Sequence, residues 1–185
     1  MSEPISYKAE YESLKMNLSD TISTQVRVGG RIYRDGQGRE RNEEDLEVDS
    51  GVITLAEIYS WPERTLYTLN VTERVVLSVE SLTEVKLLAG TWALKDGLAV
   101  AVPNSPPAES NRIGSKEIEG LLCDGYILNF ASNVSAEVWY SQALNAQIYL
   151  RILAPDQEIT WKLFAIFQTE PDRELFEIPS DYRYQ

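Results

Sequence analysis

Period-two alternation of apolar and polar positions dominates the chain and is strongest between residues 111 and 184. In its longest run Ile159, Trp161, Leu163, Ala165 and Phe167 alternate with Thr160, Lys162 and Gln168. Neighbouring side chains of a strand point to opposite faces, so the first set marks one face of a sheet. Phe164 and Ile166 fall on the other face, which is therefore partly apolar as well. A sheet with that pattern needs a second layer, a lid or a ligand.

Shorter runs of the same kind fill most of the chain. Tyr7 to Tyr11 reads as an opening strand or a short amphipathic helix. Thr21 to Val28 is β-rich, and Gly29-Gly30 reads as a bulge or tight bend. Asp35-Gly36-Gln37-Gly38 reads as a hairpin turn with one glycine at positive φ, and Arg39 to Glu47 as the charged return strand. Val52 to Tyr59, Thr65 to Leu69 and Arg74 to Val79 continue as a meander. Thr91 to Val102 reads as a strand pair around Asp96-Gly97, and Pro103 to Asn111 as a surface loop. Lys116 to Glu119, Leu121 to Phe130, Ala136 to Tyr140, Ala146 to Leu153 and Glu158 to Thr169 follow as strands. Asp172 to Phe176 forms at most one helical turn, ahead of an extended tail from Asp181 to Tyr184.

One segment has a different period. Leu82, Val85, Leu88 and Ala89 recur at helical spacing. Ser81 with Glu84 reads as a capping box, and Gly90 closes the turn. This predicts a short helix over residues 81–89. Sheet patterns on both sides of the 103–111 loop predict a single domain over residues 1–185.

Charge and composition narrow the function. Asp plus Glu total 29 against 17 Lys plus Arg, a formal charge of -12. That excludes general affinity for nucleic acid, which needs clustered positive charge. Histidine is absent, which removes the commonest metal ligand and proton shuttle. Cys123 is the only cysteine, so neither an intrachain disulfide nor a thiolate metal cluster can form, and its apolar neighbours predict a buried, inert thiol. No apolar run is long enough for a membrane helix, and the first residues lack the basic-then-apolar order of a signal peptide. Glu40, Glu43, Glu44, Asp45, Glu47 and Asp49 read as a solvated acidic rim. Nothing in the spacing of the carboxylates marks a catalytic pair, so a carboxylate-based hydrolase is the weakest reading. No cofactor or metal is implied.

Four stretches carry a resemblance: RIYRDGQGRERNE, IGSKEIEGLLCDGY, EVWYS and EPDRELFEIPSDYR. Together they resemble a group of bacterial exported proteins whose architecture looks like that of periplasmic lipoprotein carriers and related lipid-binding lipoproteins. The match spans residues 31–43 and 115–184 and is loose between 46 and 111. The resemblance implies a mainly β fold: a single curved antiparallel sheet, an unclosed barrel, with one or two short helices packed on its concave side. It also implies a periplasmic or otherwise exported protein, with the cytoplasm as the alternative.

The expected function is a non-catalytic binding module of the cell envelope that holds an apolar ligand in the concave face. An acyl chain, a lipid or a lipoprotein would be the partner, and a monomer is favoured. The alternative is a protein-interaction or structural domain without a small-molecule ligand. Tyr and Trp combine apolar area with a polar handle and suit cavity walls. Leu55, Tyr59, Tyr126 and Leu128 are candidate walls in the earlier strands. Trp139, Leu150, Phe164 and Ile166 are candidates in the later ones, with the 82–88 stripe as cover.

Overall fold

The computed structural model describes residues 5–18, 25–60, 63–81, 92–95, 98–101, 111–129 and 133–185, with the backbone alone for 92–95 and 98–101. The strands are β1 (Tyr7–Asn17), β2 (Gln25–Arg34), β3 (Arg39–Val48), β4 (Gly51–Ser60), β5 (Thr65–Asn70), β6 (Val75–Ser81), β7 (Trp92–Lys95), β8 (Leu98–Ala101), β9 (Asn111–Ile118), β10 (Leu121–Asn129), β11 (Ser135–Ser141), β12 (Ala146–Ala154), β13 (Gln157–Phe167) and β14 (Arg183–Tyr184). A 12-stranded sheet runs in the order β14-β6-β5-β4-β3-β2-β1-β13-β12-β11-β10-β9, and β7 pairs with β8 separately. Among the described residues no ladder joins β9 to β14, so the sheet is open. The ladders among β2–β6 and among β9–β13 are antiparallel, whereas β14 joins β6 in parallel.

The expected helices on a concave face are overturned. Among the described residues the only helical segment is a 3-10 turn, Arg173–Phe176. Ser81, read as a helix cap, ends β6 and pairs with Thr65 across the ladder, so its backbone is engaged in the sheet. The rest of the predicted helix, residues 82–89, lies outside the described residues, as does the loop over 103–110.

The chain divides into two compact units: Met1–Tyr11, Val28–Glu84 and Ala165–Gln185 form one, and Glu12–Arg27 with Val85–Phe164 the other. In the first, β2 and β3 form the expected hairpin. The Asp35 carboxylate accepts N–H bonds from Gln37 at 3.0 Å and Arg39 at 2.8 Å, and Gly38 takes φ 83°. The β2–β3 register runs from Arg34 back to Gly30. Gly30 lies in ladder register with Glu44, and Tyr11 packs against it.

Ala56, Ile58, Leu69 and Val76 form the buried core on one face of β4–β6, and Ile178 and Tyr182 from the C-terminal segment pack onto it. That segment is held by charge as well as burial. The Arg39 guanidinium lies 5.0 Å from the Phe176 ring centroid, and Arg41 donates to the Leu175 carbonyl at 3.0 Å. The expected solvated acidic rim therefore holds only in part. Arg41 and Glu43 are buried and joined at 2.8 Å, and Glu43 also receives Arg31 at 2.8 Å. Arg34 pairs with Glu40 at 2.8 Å, likewise largely out of water.

In the second unit, β9 and β10 meet at a tight turn with positive φ at Glu119 (51°) and Gly120 (75°), the backbone a two-residue type I′ hairpin requires. β13 keeps its predicted apolar face through Ile159, Trp161 and Leu163. The alternation then fails, because Ala165 takes φ 48° and both Ala165 and Phe167 are exposed.

Candidate functional site

The apolar surface of the second unit is set by register. Tyr126, Val138, Leu150 and Trp161 stand directly opposite one another across β10, β11, β12 and β13. Leu128, Ala136, Ile152 and Ile159 form the adjacent row. Directly opposed residues share a face, so the two rows make one continuous apolar surface. Its centre (Leu128, Ala136, Val138 and Leu150) is buried, with Ile152 and Trp161 packed half-buried against it. Tyr126 is half-buried as well.

Trp139 lies on the opposite face, in a row with Gly125, Tyr149 and Lys162. Its indole covers Gly125, where a Cβ would approach Cη2 to 2.6 Å. The indole N–H donates to Glu137 Oε1 at 2.5 Å. Lys116 Nζ stands 3.8 Å from the Trp139 ring centroid and 5.7 Å from that of Tyr149. Burial, with the Glu137 charge second, raises the Tyr149 phenol. Phe164 follows Lys162 by two positions, so it shares this face, and Lys162 Nζ lies 5.6 Å from its ring centroid.

Leu55, Tyr59 and Ile166 belong to the first unit. Leu55 and Tyr59 lie on the β4 face opposite the core. Leu55 is in register with Glu44 and Asn70, and Tyr59 with Glu40 and Leu66. Between those rows Asn42 stands opposite Glu57, and Glu57 Oε2 accepts the Tyr59 hydroxyl at 2.6 Å. Burial and then the Glu57 charge raise the Glu44 carboxyl. Asn42 Oδ1 is buried with no hydrogen-bond partner among the described residues. This face thus mixes apolar and acidic groups. Ile166 is half-buried on β13.

Of the predicted walls, then, Tyr126, Leu128 and Leu150 come together, while Trp139 and Phe164 lie on the opposite face of the same unit. Val138, Ala136 and Ile152, absent from the prediction, complete the apolar surface. The run Val138-Trp139-Tyr140 is apolar at successive positions, so alternation alone does not say which of its residues faces which way. Gly125 is the signal that assigns Trp139, because the indole needs a partner position without a side chain.

Among the described residues no group of three or more Cys, Asp and Glu could hold a metal ion. Cys123 is fully buried, its thiol donates to the Leu121 carbonyl, and burial pushes its pKa up to about 11. Asp124 sits in an exposed network, accepting from Ser115 and Arg112 at 2.7 Å each, and those bonds lower its pKa.

No protein-family model matches the sequence, and no curated protein matches it. Solved structures do match. An uncharacterized conserved protein from Thermus thermophilus superposes with a TM-score of 0.55 at 11% identity, over 95% of this chain and 89% of its own. The MucA/MucB complex of Pseudomonas aeruginosa matches with a TM-score of 0.51 at 9% identity, over 95% of this chain and 56% of the matched one. PNGF-II matches with a TM-score of 0.51 at 8% identity, over 98% of this chain but 31% of its own. At these identities the likeness is one of fold. This chain thus spans about half the matched MucA/MucB chain and less than a third of PNGF-II.

Proposed function

We propose that the protein is a non-catalytic binding module of the cell envelope, and that the β10–β13 apolar face receives an acyl chain. One observation carries the reading: the two rows centred on Val138 and Leu150 are apolar over four adjoining strands, with half-buried Tyr126, Ile152 and Trp161 at the margin. Ten methylenes buried there would gain about 8 kcal/mol before ordering costs, enough for micromolar affinity on a largely preformed surface. Selectivity on such a surface rests on shape and chain length.

Titration with a fluorescent fatty-acid analogue tests the reading. The intact protein is expected to bind saturably below about 100 µM, and Trp161→Glu or Tyr126→Glu to weaken binding at least about tenfold while circular dichroism stays unchanged. A folded protein that gives no saturable signal in that range rejects the acyl ligand. A second reading, docking of a partner polypeptide, is favoured by the fold likeness to a chain solved as the MucA/MucB complex. Under that reading the same face binds protein and ignores the fatty-acid analogue.

A further inference from the structure

The face opposite the apolar surface holds a cation in a defined aromatic setting. We infer that Trp139, Tyr149 and Glu137 form an ammonium-binding site, which Lys116 fills as a tethered occupant and an alkylammonium ligand enters when Lys116 swings out. The inference is independent of the acyl-chain reading, since it rests on the other face of the sheet and on different side chains.

The ring is held in place without Lys116. Gly125 and Gly114 stand directly opposite each other on β10 and β9, so no Cβ interrupts the sheet surface there. The Trp139 indole covers Gly125, where a Cβ would clash with both Cη2 (2.6 Å) and Cζ3 (2.7 Å), whereas a Cβ at Gly114 would meet nothing within 4 Å. Its N–H is fixed by Glu137 at 2.5 Å. Backbone below and carboxylate at the edge therefore orient the indole, and the negative π face is presented for a cation. Tyr149, directly opposite Trp139 on β12, adds a second ring. Glu137 adds a formal negative charge beside them.

Lys116 shows that the setting accepts an ammonium group, at 3.8 Å from one centroid and 5.7 Å from the other. Lys116 itself is weakly held. It is exposed, and among the described residues it makes no ion pair. Cation–π contacts to two rings, made by an exposed ammonium on a flexible four-carbon stem, are a small attraction, so a ligand that also covers the ring displaces it. Of the neighbouring bases, Arg151 stands opposite Glu137 on β12 and donates to Glu158 at 2.7 Å, and Lys162 lies over Phe164. The chemistry favours a quaternary or alkylated ammonium, whose methyl groups cover an aromatic face at low desolvation cost.

The probe is tetramethylammonium chloride, titrated against a sodium chloride control, with the Trp139 indole N–H resonance as the readout. Trp139→Phe assigns that resonance. Lys116→Ala is expected to give a saturable shift with affinity about two- to fivefold tighter than the intact protein, the factor released by removing the tethered competitor. Glu137→Gln and Tyr149→Leu in the Lys116→Ala background are expected to weaken it. Lys116→Gln replaces Lys116→Ala if the latter does not fold. No saturable shift in the lysine-less variant overturns the site. Equal affinity with and without Lys116 overturns its role as occupant.

Discussion

The ring of Tyr11 occupies the space that a side chain at Gly30 would need. A Cβ there would lie 2.5 Å from Tyr11 Cε1 and 1.9 Å from the Glu43 carbonyl oxygen. Tyr11 is a flexible obstacle, but the carbonyl is backbone of the neighbouring strand. Gly30→Ala is therefore expected to destabilise the protein by about 2–3 kcal/mol, through displaced backbone and overpacking. Urea unfolding of Gly30→Ala with and without Tyr11→Ala checks this. Truncating the ring should recover only part of the loss, since the closer clash remains.

Glu43 is shared by two arginines. Arg31 and Arg41 each donate to it at 2.8 Å, and Arg41 goes on to the Leu175 carbonyl. Removing the carboxylate leaves buried Arg41 without its counter-charge, which is the costly way to break a buried pair. Glu43→Ala is expected to lose about 3 kcal/mol, with little dependence on salt. The exposed Arg74–Asp181 pair provides the contrast, with side chains 67% and 53% exposed. Asp181→Ala should cost under about 1 kcal/mol and less still at high salt. Chemical denaturation at two ionic strengths separates the cases.

Trp161 stands opposite Leu150 and packs half-buried on the Val138 cluster. Trp161→Ala is expected to cost about 3 kcal/mol through lost burial and the cavity left behind. A loss under about 1 kcal/mol in urea unfolding would place the ring in water and remove it from the apolar face.

These residues also show what was legible in the sequence. Strand periodicity located Trp161 and Leu163 on the buried face of β13, because polar and apolar residues there alternate cleanly. The Asp35–Gly38 turn was legible from its chemistry, since few residues besides glycine accept φ 83°. The pairing of Arg41 with Glu43 was hidden, because a run of charges looks solvated until the segment around Phe176 is seen to cover it. The side of the sheet taken by Trp139 was hidden too, since Val138 and Trp139 are both apolar. Helical spacing after Ser81 set the expected end of β6 at Val79, whereas the strand runs on to Ser81, which stands opposite Thr65.

Glu44 gives a pH prediction. Burial, and then the Glu57 charge, raise its pKa above the ordinary value of 4.5. A carboxyl raised in the folded state binds its proton more tightly there than in the unfolded chain. Below the unfolded value both states are protonated and nothing is lost. As pH rises from about 4.5 through the raised folded value, the unfolded chain ionises first and stability falls. Glu44→Gln removes that penalty. Thermal unfolding from pH 3 to 8 is expected to show the variant more stable at neutral pH, with the gap shrinking below about 4.5. A constant gap at every pH would assign the effect to packing instead.

Cys123 combines a buried sulfur with a proton that is hard to remove. The thiolate is the nucleophile, and a pKa pushed up to about 11 leaves roughly one thiol in a thousand ionised at pH 8. The sulfur is also fully buried, so a reagent reaches it only when β10 opens. Thiol labelling of the folded protein at pH 8 is expected to run at least about a hundredfold slower than labelling in 6 M guanidinium, and its rate to follow the local opening of the strand. A second observation separates burial from ionisation. Raising the pH to 9.5 should speed labelling of the unfolded chain until its thiol is fully ionised. In the folded protein the rate should rise no further than opening allows. Labelling of the folded protein as fast as of the unfolded chain would mean that Cys123 faces solvent and that β10 does not pair with β9 and β11 as described.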